Sequence, residues 1–128
     1  MFLCQWIWYT KILGIMIFIV NKHKHFPTTN DIYIGRGSPL GNPYTHIKEG
    51  TKAEFIVNDR DEAIKNYEIW INNKILNKDP SVCDALNKIY LIAKNGDVNL
   101  CCFCKPKSCH GDIIKKIIES KLWKILRY

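Results

Sequence analysis

The residues with the most chemistry stand in one stretch: Cys101-Cys102-Phe103-Cys104-Lys105-Pro106-Lys107-Ser108-Cys109-His110-Gly111-Asp112. It holds four of the six cysteines and one of the four histidines of the chain. Three chemistries suit it. The first is a metal site, because Cys102, Cys104, Cys109 and His110 are ligand types that zinc selects. Two features weigh against an ordinary knuckle. Cys109 and His110 are adjacent, so their side chains tend to diverge, and Cys101 with Cys104, spaced C-x2-C, makes a knuckle only if Cys101 shares its face. Strand alternation instead puts Cys102 and Cys104 together. The second chemistry is a reactive thiol in a ligand pocket. Cys109 stands just ahead of a helix-like run, where the dipole and free N–H groups lower a thiol pKa. His110 would shuttle the proton, and Asp112 joins Cys109 and His110 as a candidate catalytic group. The third is structural: small buried thiols in a strand, with Cys109-His110-Gly111 capping a helix.

A second stretch is built for close backbone approach: Gly35-Arg36-Gly37-Ser38-Pro39-Leu40-Gly41-Asn42-Pro43. Its three glycines can turn N–H groups toward a phosphate. Arg36 would add a bidentate charged contact, and Ser38 and Asn42 hydrogen bonds. Arg60 would point at the same anion. No Gly-Lys-Ser/Thr follows, so this is not a Walker A loop, and the glycines do not open a helix as a dinucleotide fingerprint does. The plain alternative is a proline-braced loop with glycines for geometry only. His23 and His25 could form an HxH metal pair, but a solvated basic loop suits them better, and His46 reads as a surface residue.

The elements that must position these loops are legible from pattern. A β-branched run at 17–20 and Asp31-Ile32-Tyr33-Ile34 read as strands. Asp59 is placed to cap a helix reaching about Asn77, with Ala63, Ile64, Tyr67, Trp70, Ile71 and Ile75 on its inner face. Ser81 with Asp84 resembles a capping box for the next helix, whose stripe includes Val82, Leu86, Ile89 and Ala93. Gly96 stops that helix, and 98–103 is the clearest strand. A last helix covers 111–121. The order β-β-α-α-β-α predicts an α/β fold: a small Rossmann-like sandwich, with a mostly parallel sheet flanked by helices. Ligands sit at the carboxyl ends of such strands, and both special loops follow strands.

Composition narrows the classes. A chain of 128 residues with 47% hydrophobic content can bury its own core and is not a disordered tail. The net charge of +7 suits an anionic partner or plain solubility, since the lysines are scattered. The crowded cysteines do not suit a spread disulfide framework and imply a reducing compartment, so a cytoplasmic location is expected. Residues 1–15 are apolar, but Lys11 interrupts them, and the unbroken run at 12–20 is far short of the roughly 20 residues of a membrane span. They read as an extension ahead of Met16, with one domain over 16–123 and a tail over 124–128. A membrane partner is not expected.

The stretch from Ile32 through Pro43, Arg60 with Ala63, Ile64 and Tyr67, and the run from Leu100 through Asp112 together resemble the domain of unknown function 4326 family, found in phages, large DNA viruses and microbes. The likeness covers about 16–120. Phe103 stands where the family leads one to expect tryptophan. The cysteine turn also looks like a Cys-His-Arg turn of another uncharacterised α/β family, with Gly111 in place of the arginine. The resemblance implies a compact Rossmann-like domain whose two loops form one pocket, in a viral host's cytoplasm if the chain is viral. It implies no reaction. Two functions compete. One is binding or processing of a nucleotide, nucleoside or sugar phosphate between the loops. The other is a non-enzymatic zinc-stabilised module for nucleic acid or protein.

Overall fold

The computed structural model describes residues 16–48, 50, 53–104, 107 and 109–126, with backbone alone over 123–126. The expected extension at 1–15 lies outside the described residues. The elements are β1 (Ile17–Asn21), β2 (Asp31–Tyr33), β3 (Tyr44–Thr45), β4 (Phe55–Ile56), α1 (Arg60–Leu76), α2 (Pro80–Ala93), β5 (Val98–Cys102) and α3 (Gly111–Leu126). This is the expected small α/β fold.

The main sheet has the order β1-β5-β2, and both pairings are parallel. The most apolar strand therefore takes the centre, where both of its edges are paired. On β5, Val98, Leu100 and Cys102 face the core that α1, α2 and α3 complete. Tyr67 and Ile71 come from α1, Val82, Leu86 and Ile89 from α2, and Ile114 and Ile118 from α3. Each such side chain contributes about 1.5–3 kcal/mol on burial. Because β2 and β5 run in the same direction, the loops that leave them emerge on one edge.

Three local features differ from the sequence pattern. The β3–β4 pair was not expected, because two-residue strands are too short to show alternation. The pair is parallel, held by Phe55 N–H to Pro43 O and Val57 N–H to Thr45 O. The cap of α2 is Asp79 rather than Ser81. Pro80 fills the first helical position, where its missing N–H costs nothing, so the residue before it caps. Asp79 Oδ1 accepts the Val82 N–H at 3.1 Å, and Ser81 Oγ donates to the same oxygen at 2.8 Å. Finally, α3 runs on to Leu126, past the expected helix end at 121.

The first helix begins as read: Asp59 Oδ1 accepts the Glu62 N–H at 2.8 Å. It ends in a left-handed turn at Lys78, φ 55°. Asp79 N–H returns to Lys74 O and Lys78 N–H to Ile75 O, which satisfies two end carbonyls. Among the described residues, no helix is long and apolar enough to cross a membrane.

Candidate functional site

The two loops meet. His110, at the turn into α3, donates from Nε2 to the Ile34 carbonyl at 2.6 Å, so the cysteine turn is tied to the start of the glycine loop. The edge of the His110 ring meets Tyr67, with centroids 5.0 Å apart. The Tyr67 hydroxyl in turn donates to Leu40 O at 2.7 Å. Both aromatic rings thus hold the glycine loop from beneath. Between the loops lies a cavity of about 620 Å³.

The glycine loop spends most of its polar groups on itself. Ser38 N–H and Oγ both donate to Gly35 O, and Gly41 N–H donates to Ser38 O. Arg36 braces the loop, from Nε to Asn42 O at 3.1 Å and from Nη2 to Tyr44 O at 2.9 Å. Asn42 donates to Ala63 O and accepts the Tyr44 N–H. Gly37 holds φ +96°, and a Cβ on Gly41 would sit 2.7 Å from Gly35 O. Of the expected ligand-binding set, Gly35, Arg36, Asn42 and Arg60 line the cavity. Gly37, Ser38 and Gly41 are not in its wall and serve the shape of the loop instead.

The thiols gather on the opposite wall. Cys102 and Cys109 are each 1% exposed, while Cys104 is half-buried. The sulfurs of Cys102, Cys104 and Cys109 all lie within 4.8 Å of one another, close enough to hold a metal. His110 does not join that group, although its Nδ1 is 3.5 Å from Cys109 Sγ. Cys109 Sγ donates to Cys102 Sγ at 3.2 Å and accepts the Gly111 N–H at 3.2 Å.

Electrostatics within the trio push two of the thiols in opposite directions. Hydrogen bonds from Cys102 and Cys109, then one from Arg60, pull the Cys104 thiol far below its usual pKa. Cys109 is pushed up by its bonds to Cys102 and Cys104 and by burial. The Gly111 N–H at the head of α3 acts on Cys109 in the opposite direction, lowering its pKa. Burial foremost lowers the pKa of His110. The bond to Ile34 O puts the proton of the neutral ring on Nε2 and leaves the Nδ1 lone pair toward Cys109.

Asp112, expected beside Cys109 and His110, lies outside the cavity. Its carboxylate accepts the Cys109 N–H at 3.4 Å and faces a groove with Asp61, Lys65 and Glu68. Its place in the first turn of α3 aims it back at the preceding backbone. His46, read as surface, lines the cavity. His25 pairs with Asp31 at 3.0 Å, and the His23 ring lies against Phe103. Three aromatic residues of the wall, Tyr33, Tyr44 and Phe103, are not among the site residues expected from the sequence. The available signal was an aromatic at each loop entrance. Lys107 adds a cation, and no carboxylate lines the cavity among the described residues.

A parallel α/β fold with a cationic, thiol-walled cavity at the carboxyl ends of its strands is the class that this geometry defines. Over residues 19–120 the chain matches the family described as Domain of unknown function (DUF4326), and it belongs to that family. The match contains both loops and Arg60. No curated protein and no solved structure matches the chain.

Proposed function

We propose that the cavity between the two loops binds an anionic small molecule: a nucleotide, nucleoside or sugar phosphate. The observation that carries this reading is a convergence of positive groups without acidic ones. Arg36, Arg60 and Lys107 line one cavity, and the first turn of α1 opens on it through Arg60 and Ala63. Helix N-termini favour anions, and so do arginines. Tyr33, Tyr44 and Phe103 supply faces on which a base or sugar can lie. A volume of about 620 Å³ suits a ligand of that size.

Thermal-shift screening of the full chain with nucleotides, nucleosides and sugar phosphates tests this. A ligand present at about 100 times its Kd adds about 2.7 kcal/mol of stability, which a melting curve resolves. Stabilisation by one such class supports the reading. No stabilisation by any of them, or unchanged stabilisation in both Arg60→Ala and His110→Ala, overturns it. The free thiols suit work in a reducing compartment, the cytoplasm, or the host's cytoplasm for a viral chain.

The thiol trio favours a second reading, a non-enzymatic zinc-stabilised module that binds nucleic acid or protein. Stoichiometric zinc in protein purified without chelator, lost in Cys104→Ser, supports it. Folded, metal-free protein removes it. Binding to DNA or RNA that falls steeply with salt would identify the partner as nucleic acid.

A further inference from the structure

The two readings above treat the thiol trio and the cationic cavity separately, yet they share a wall. Cys102, Cys104 and Cys109 all line the cavity. Zinc with sulfur ligands at roughly 2.3 Å places those sulfurs about 3.8 Å apart in a tetrahedron. The trio, with all sulfurs inside 4.8 Å and one pair at 3.2 Å, needs only small side-chain adjustments to reach that geometry.

Independent features of the surroundings also fit a bound cation. A neutral thiol is a weak acceptor, yet the Gly111 N–H is aimed at Cys109 Sγ from the first turn of α3. That is the arrangement that stabilises negative charge on a sulfur. Three thiolates around a divalent cation leave one net negative charge, and Arg60 and Arg36 stand on the same cavity to offset it. His110 Nδ1 lies 3.5 Å from Cys109 Sγ but outside the group of three sulfurs, so His110 is a neighbour of the trio rather than a fourth member.

We propose that Cys102, Cys104 and Cys109 form an open three-thiolate site for a zinc-like divalent cation, whose fourth position faces the cavity and takes water or an anionic oxygen of the cavity's ligand. The metal part stands on the trio alone, while the identity of the fourth ligand rests on the anion-binding reading above.

The test uses Co²⁺ as a coloured substitute for zinc. The full chain, reduced and stripped with chelator, is titrated with Co²⁺ without oxygen. The expected result is saturation at one equivalent, with sulfur-to-cobalt charge-transfer absorption and tetrahedral d–d bands that zinc bleaches. Cys104→Ser, the mildest change because Cys104 is half-buried, weakens binding about tenfold or more. Cys83→Ser and Cys101→Ser leave it unchanged. No thiolate bands in the wild type, or equal affinity in Cys104→Ser, overturns the site. Imidazole, which needs no arginine, then probes the open position. A shift of the d–d bands supports it, and unshifted bands overturn it. Inorganic phosphate is the last probe. A shift supports the anionic fourth ligand. A shift with imidazole but none with phosphate keeps the open metal site and overturns its link to the anion-binding reading.

Discussion

His110 does more than its position beside Cys109 in the sequence implies. Its ring joins the cysteine turn to Ile34, rests on Tyr67 and faces the sulfur of Cys109. Tyr67 is fully buried, and its hydroxyl reaches Leu40 O. A Tyr67→Phe variant leaves that carbonyl without its donor, and the cost should be about 1–3 kcal/mol in urea unfolding. A second single-residue forecast concerns Asp31. Its carboxylate accepts from the Thr28 N–H, the Thr28 hydroxyl and Asn99, and it pairs with His25. The Thr28 backbone bond leads in holding its pKa well below the usual carboxylate range. A lowered folded-state pKa means stability that is present above about pH 4 and lost as the pH falls below it. Melting temperatures between about pH 5 and pH 2 should therefore fall more steeply for the wild type than for Asp31→Asn. Parallel curves would contradict this.

At the scale of elements, the sequence is legible where its periods are long. The stripe from Ala63 to Ile75 and the cap at Asp59 mark the first helix because seventeen residues give the pattern room to repeat. The strand carrying Val98, Leu100 and Cys102 is legible for the same reason, and alternation correctly pairs Cys102 with Cys104. What alternation cannot show is the return of Cys109, which depends on how the turn folds back in three dimensions. Nor can it show β3 and β4, whose two residues each carry no period, and so His46 and Tyr44 reach the cavity unannounced. Lys78 provides a prediction at this scale. It sits at φ 55° in the turn that ends α1, where a side chain costs about 1–2 kcal/mol that glycine avoids. After the backbone entropy that glycine loses, Lys78→Gly should stabilise the protein by about 0.5–1 kcal/mol in denaturant unfolding.

For the molecule as a whole, parallel strand order makes the site. With β5 between β1 and β2, the glycine loop and the cysteine turn leave the sheet on the same edge. The sequence shows that both loops follow strands, and the sandwich follows from the element order. It does not show that the Arg36 fork is committed to Asn42 O and Tyr44 O, because that depends on how the loop closes on itself. The proposed anion binding therefore leans on Arg60, which lines the cavity from the head of α1. The most direct measurement is calorimetric titration of the full chain and of Arg60→Ala with the phosphorylated ligand that most raises the melting temperature. The account predicts saturable one-to-one binding that weakens at least about tenfold in Arg60→Ala, a loss of about 1.4 kcal/mol. Equal affinity in the two proteins, or no saturable heat with any nucleotide or sugar phosphate, would contradict it.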